Sequence, residues 1–293
     1  MEFKEQILEY NKEITTYLDN SLVIKDVPER RLLESMKYSL MAGGKRLRPM
    51  LVIATYKLFK DDYSSAIPFA VAMELVHSFS LIHDDLPAID NDDFRHGKPT
   101  NHKMFDESTA ILAGDGLLNS AYEVISESLL DKDNLENKIR AFNEFTKAVF
   151  RMIAGEYVDI DSEGKDIPYE TLEYMHQNKT GALLKASVRM GAILAGASEN
   201  DISKVTQYAD KIGLSFQIKD DILSETGNEK ITGKPVGNDK AMKKCTFTTI
   251  YGIEKSNEIL ETLTNETIEI AETFGPKSEF FKQFALFIKN RNH

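Results

Sequence analysis

Residues 66–83 read AIPFAVAMELVHSFSLIH and run directly into residues 83–93, HDDLPAIDNDD. The first stretch is apolar on nearly every face and long enough to resemble a membrane span. It also carries Glu74, His77 and His83, and it ends on a pair of carboxylates. A helix of that kind belongs at the centre of a large soluble bundle, where other helices cover its apolar faces and its few ionisable groups find partners. No membrane insertion is expected.

Working outward, apolar residues recur at helical spacing, as in Leu32, Leu33, Met36 and Leu40, and again in Ile202, Val205, Tyr208, Ala209 and Ile212. Only 8 prolines interrupt 293 residues. No alternating run of Val, Ile and Thr bounded by turn residues occurs, so no sheet is expected. The pattern predicts an all-α fold, one large helical bundle forming a single domain over residues 1–293. Helices are expected near 2–19, 29–42, 49–60, 66–85, 107–130, 134–160, 168–197, 201–223, 238–252, 255–274 and 276–290. Gly43 and Gly44 suit a helix end, and Pro49 suits the first turn of the next helix.

Composition narrows the function. Lys plus Arg total 36 against 47 Asp plus Glu, a net charge of −11. A surface this acidic repels nucleic acid and anionic membranes, so any phosphate must be held by a local basic cluster. One cysteine, Cys245, excludes a disulfide framework and a Cys-rich zinc site, and fits a reducing cytoplasm. The opening MEFKEQILEYNKEI is charged and amphipathic, unlike a secretory signal. The expected location is cytoplasmic.

Two acidic motifs stand out: HDDLPAIDNDD, and QIKDDILSETGNE at residues 217–229. Both place carboxylates where a helix is expected to finish, although the last helical carbonyls disfavour an anion there. A bound cation removes that penalty. Asp84 and Asp90 would point about 240° apart on an unbroken helix, but Pro87 breaks it and lets the chain bring Asp90 back beside Asp84. All-oxygen ligands of this type suit magnesium shared with substrate phosphates. A single Asp pair is usually no more than a solvated helix end. Two pairs, each preceded by a strongly apolar helix, call for cations.

Basic counterparts follow. AGGKRLRP, residues 42–49, packs Lys45, Arg46 and Arg48 before a helix start whose amides also favour an anion. Arg95 and His96 follow the first acidic motif, Lys179 and Thr180 lie in HQNKTGALL, and residues 227–244 read as a Gly-Lys flap over phosphate. Singly, each cluster is most often a solvated face. His77 lies about 10 Å up the helix from Asp84, in reach of a second substrate.

The ordered set AGGKRLRP, LIHDDLPAIDNDDFRHGKPTNH, AGDGLL, KTGALL, FQIKDDIL and the flap resembles bacterial farnesyl diphosphate synthases of the trans-prenyltransferase family, collinearly from about residue 40 to 250. The resemblance implies an all-α bundle around a central cavity, a homodimer, and Mg2+ as cofactor. It also implies isopentenyl diphosphate and allylic diphosphates as substrates. Carried across, Asp84, Asp90 and Asp220 look like metal ligands, with Asp85 beside the first two. Lys45, Arg48 and His77 match the isopentenyl diphosphate seat. Arg95, Lys179 and Lys234 match holders of the allylic diphosphate, and Thr180 and Gln217 match groups beside the nascent carbocation. Phe79, five residues before Asp84, looks like the floor that stops the chain at fifteen carbons, given the inserted Leu86-Pro87; it also reads as ordinary core packing. Geranyl or geranylgeranyl diphosphate are the alternative products.

Three positions depart from that family pattern: Ser224 where the second motif usually ends in Asp, His96 where a second arginine is usual, and Glu156 where glutamine is usual. His96 replaces a fixed guanidinium fork and is expected to weaken isopentenyl diphosphate binding. A class I terpene cyclase would need an acid eight residues after Asp220, where Asn228 stands, and has no use for AGGKRLRP. A non-catalytic subunit of a heteromeric synthase would not be expected to keep Asp84, Asp85, Asp90, Asp220 and Asp221. A phosphohydrolase built on His83 and Asp84 lacks a further His/Asp set.

Overall fold

The computed structural model describes residues 3–165, 167–226 and 246–291. Among these the chain is helical nearly throughout. In order the helices are α1 (Phe3–Ser21), α2 (Arg30–Leu40), α3 (Leu47–Phe59), α4 (Ile67–Asp84), α5 (Asn101–Met104), α6 (Glu107–Ser128), α7 (Leu135–Ser162), α8 (Tyr169–Lys179), α9 (Gly181–Leu194), α10 (Glu199–Thr226), α11 (Phe247–Glu272) and α12 (Glu279–Asn290). The one departure from an all-helical reading is a two-residue hairpin, β1 (Phe94–Arg95) against β2 (Lys98–Pro99). Its turn residues His96 and Gly97 both have positive φ, 52° and 76°, as tight hairpin turns with the right twist require. Strands this short leave no period for sequence patterning to show.

Two compact units share the chain, residues Met1–Asn143 with Ile193–Gly196, and Glu144–Ala192 with Ala197–His293. In the first, α4 is buried along almost its whole length, including Phe69, Met73, Leu75, Val76, Phe79 and Ile82. It packs on α6, whose facing side is built from Ala110, Ala113, Gly114, Leu117, Ala121 and Ile125. Small residues at three- and four-residue spacing let the two helices approach closely. Although the segment Ser64–Asp84 is apolar and long enough to cross a membrane, most of it is buried inside the protein. Tyr10, Ile14 and Leu18 form the single inward stripe of α1.

In the second unit, α10 packs on α8, α11 and α12. Ile218, Ile222, Phe247 and Leu260 make a buried cluster there. The single helix expected over 168–197 is two, broken at Thr180. Gly155 of α7 lies so close that a methyl group on it would stand 2.2 Å from the Lys179 backbone nitrogen. The two helices expected over 238–252 and 255–274 are one from Phe247 on, kinked at Gly252. The part of that expectation before residue 246 lies outside the described residues.

Candidate active site

The chain reverses after α4 as Pro87 led us to expect. The Asp90 amide donates to the Asp84 carbonyl at 2.8 Å, and the Leu86 amide to that of His83 at 3.1 Å. Asp84 is half-buried and Asp90 exposed. Asp85 points elsewhere. It is 3% exposed, and both its oxygens accept from Arg95, Nε at 2.8 and 2.9 Å and Nη2 at 2.6 Å. Burial holds the Asp85 carboxyl above its usual range despite that pairing. For Arg95, burial pulls the guanidinium down but the Asp85 hydrogen bonds leave it raised overall. The helix explains the division, because neighbours differ by about 100° around its axis and cannot both face the rim.

The three cations of AGGKRLRP separate in the same way. Arg46, in the left-handed conformation at the start of α3, is buried. It donates to Glu74 at 2.6 Å and to the Leu40 carbonyl at 2.5 Å, so it ties α2, α3 and α4 together. Lys45 is half-exposed. Arg48 lies 3.2 Å from His77 Nε2, and burial depresses both, His77 well below the ordinary imidazole value. After burial, Arg48, Arg95, Arg46 and His96 are what keep His77 neutral. Cations from two segments, Arg46 and Arg48 at the start of α3 and Arg95 on the hairpin, therefore converge on it. His96 stands at the tip of the hairpin beside Gly44, where an added methyl group would lie 3.7 Å from its Nε2. Partial burial, then Arg95 and Arg46, lower its pKa too. This is the electropositive seat that an anion requires.

Phe79 is buried and meets the His83 ring edge to face, centroids 4.9 Å apart. His83 Nε2 lies 3.0 Å from the Ile111 carbonyl on α6. The ring fits only because residue 114 has no side chain: a methyl group there would sit 2.1 Å from that nitrogen. This gives a physical reason for the glycine in AGDGLL.

In the second unit, Lys179 donates to Asp159 at 2.5 Å and lies 2.8 Å from Glu156. Burial alone would lower its pKa, but the two carboxylates, Asp159 first, raise it. Thr180 Oγ1 is 3.5 Å from the Gln217 side-chain oxygen, and the Gln217 amide donates to Asp221 at 3.1 Å. The other oxygen of buried Asp221 accepts from the Phe247 amide at 2.8 Å. Asp220 faces outward and accepts from Arg291 at 2.5 Å. The helix does not finish here, as the sequence suggested, but runs on to Thr226, since nothing after Asp221 breaks it. Asp159, Met175, His176, Lys179, Gln217 and Asp221 line one pocket. Lys234 lies outside the described residues.

Sequence reasoning passed over Asp159, His176 and Arg291. Asp159 could have been found, since it lies three residues after Glu156 on one face of α7. His176 stacks on Phe247 at 5.9 Å, and burial lowers its pKa to about 4. Arg291 carries no local signal at all.

Each unit thus carries outward carboxylates and a cluster of cationic side chains of the kind that diphosphate chemistry uses. The polyprenyl synthetase family model matches residues 29–277. The chain belongs to that family. It is 43% identical over 279 residues to a chloroplastic geranylgeranyl pyrophosphate synthase of Catharanthus roseus, covering 94% of this chain and 77% of that one. It is 39% identical over 270 residues to the farnesyl diphosphate synthase of Bacillus subtilis, covering 92% and 91%. Among solved structures, the apo FPP/GFPP synthase from Zymomonas mobilis superimposes with a TM-score of 0.86 at 34% identity, covering 98% of both chains. The fold is thus the all-α fold of prenyl synthases, and the chain is a prenyltransferase. Its substrate class is that of the family, isopentenyl and allylic diphosphates.

Proposed function

We propose that the protein condenses isopentenyl diphosphate head to tail with dimethylallyl and then geranyl diphosphate, and that farnesyl diphosphate is the main product. Phe79 carries the reading on product length. It is a buried ring on α4, about one and a half turns before Asp84, held edge-on by His83. A tail growing down α4 from a diphosphate at Asp84 meets that ring. Relatives of both product lengths stand at similar identity, so geranylgeranyl diphosphate is the alternative.

The donor set fits magnesium. Asp84 and Asp90 in one unit and Asp220 in the other offer the hard oxygens that magnesium takes. Substrate phosphates would then complete its shell. Magnesium would supply charge neutralisation for the departing pyrophosphate. Asp85, grouped with the ligands on sequence, is better read as the anchor of Arg95. Arg48, neutral His77, Lys45 and His96 would hold isopentenyl diphosphate. Lys179, with Arg95 and Lys234, would hold the allylic diphosphate, while Thr180 and Gln217 present oxygens toward developing positive charge. The apolar wall of α4 keeps water from the cation.

The single family match running through both units supports one trans-prenyltransferase domain over 1–293. Phe150, Ile153, Tyr157 and Ile160 are exposed at three- and four-residue spacing along α7. A stripe of that kind supports a homodimer. A net charge of −11 and the mostly buried apolar segment Ser64–Asp84 support a cytoplasmic enzyme with no nucleic-acid partner and no membrane insertion.

The test is to incubate the protein with labelled isopentenyl diphosphate and each allylic primer and to size the products. Fifteen carbons are expected from wild type, and twenty or more from Phe79→Ala. That variant costs roughly 3–5 kcal/mol of stability where the ring is fully packed. A stable variant still stopping at fifteen would remove Phe79 as the floor.

A further inference from the structure

Arg291 follows the last turn of α12 in extended backbone, yet its side chain is only 7% exposed. Three contacts hold it on α10. Nη2 donates to Asp220 Oδ1 at 2.5 Å and to the Phe216 carbonyl at 2.8 Å, and the guanidinium lies 3.8 Å over the Phe216 ring. Phe216 and Asp220 are one turn apart, so the guanidinium clasps a single turn of helix. Its Nε is buried with no partner among the described residues. Leaving a charged group's donor unmet is costly, and ordinary stabilisation would be served better by an apolar side chain on Phe216. What the arginine does that an apolar residue cannot is fix a carboxylate.

We propose that Arg291 is a positioning residue for the Asp220 carboxylate, holding it in place before a cation arrives. The inference rests on the reading of Asp220 as a metal ligand. Asp220 is 43% exposed and lies in the last two turns of α10, where the helix carbonyls disfavour its charge and exposure leaves its rotamer open. Asp221 beside it is fixed by Gln217 and the Phe247 amide. Asp220 has the guanidinium instead. A ligand carboxylate held by hydrogen bonds binds metal better than a loose one, and losing such an outer partner typically costs about 10- to 100-fold in metal affinity or activity.

The test compares wild type with Arg291→Met, which keeps packing on Phe216, and Arg291→Lys, which keeps the charge without the fork. The magnesium concentration for half-maximal activity is measured, together with calorimetric binding of inorganic pyrophosphate across a magnesium series. Arg291→Met is expected to raise the magnesium requirement about 10-fold and to weaken magnesium-dependent pyrophosphate binding to match. Arg291→Lys should fall in between, and the Michaelis constant for isopentenyl diphosphate should stay put. In an Asp220→Asn background, Arg291→Met should weaken pyrophosphate binding no further. An unchanged magnesium requirement in both Arg291 variants, or additive losses in the double variant, overturns the proposal. If Asp220→Asn binds magnesium and pyrophosphate as wild type does, the ligand reading of Asp220 falls first and takes this role with it.

Discussion

Asp84-Asp85 and Asp220-Asp221 are the same dipeptide, one in each compact unit, and each pair turns one carboxylate outward and one inward. The inward members are satisfied differently. Asp85 gives both oxygens to a charge, Arg95, carried on a hairpin. Asp221 takes neutral donors, the Gln217 side chain and the Phe247 amide. The first arrangement links the motif to a residue whose charge also reaches His77, so on the proposed function Arg95 would both anchor and bind. The second links the motif to the start of α11. On the proposed function each doublet divides into one ligand carboxylate and one structural carboxylate, and only the surroundings tell which is which.

The largest effect should come from the outward members. Asp84→Ala or Asp220→Ala is expected to lower turnover by at least about 100-fold, through lost electrostatic stabilisation of the leaving group, with an unfolding temperature close to wild type for Asp84→Ala and a lowered one for Asp220→Ala, which strands buried Arg291. A steady-state assay and a thermal melt check both halves, and near-normal turnover in either variant would break the metal assignment.

Inward substitutions should show the opposite balance. Asp221→Leu strands the buried Phe247 amide and Asp85→Leu strands Arg95, so each is expected to cost about 2–3 kcal/mol by chemical denaturation. Because Arg95 is charged, Asp85→Leu should also raise the Michaelis constant for a diphosphate substrate, whereas Asp221→Leu should act chiefly on stability. Equal kinetic effects in the two variants would erase the distinction.

Each unit also holds a neutral histidine, half-buried His77 among cations and buried His176 against Phe247. For His176 the folded-state pKa is lowered to about 4, by burial first, with Asp159 pulling it up and Lys179 pushing it down. Between pH 6.5 and 4 the unfolded chain therefore binds the extra proton, and stability falls as pH falls through that window. The loss attributable to His176 is of order 3 kcal/mol, so His176→Gln should narrow its stability deficit against wild type between pH 7 and pH 4. A constant deficit would mean that the ring is charged when folded.

The smallest change expected is kinetic. His96→Arg should lower the Michaelis constant for isopentenyl diphosphate several-fold and leave the allylic constant nearly unmoved, because a fixed fork replaces a neutral ring beside Gly44. Movement of the allylic constant alone would put residue 96 on the other phosphate.

Sequence periodicity was enough for α4, since a helix apolar on all sides can only be central, and for the reversal after Asp84, since Pro87 permits little else. The resemblance put Arg48 with His77 in one seat. Spacing could not separate Asp84 from Asp85, or Arg46 from Arg48, because burial of one neighbour and not the next depends on which helices pack alongside. The break at Thr180 was hidden for a related reason: the residues on either side favour helix, and the cause is the approach of α7 at Gly155. Arg291 was beyond reach, being joined to Asp220 only by the fold across 71 positions.

The vacancy at residue 114 works as a gauge. His83 immediately precedes Asp84, and its ring rests where a methyl group on α6 would stand 2.1 Å from Nε2, so the distance between two helices is read out at the carboxylate. Adding that one carbon, Gly114→Ala, changes no charge and touches no substrate. It must push the imidazole aside, together with the Phe79 ring leaning on it, and so move both ends of the proposed reaction path: the point where the diphosphate is held and the point where the tail stops.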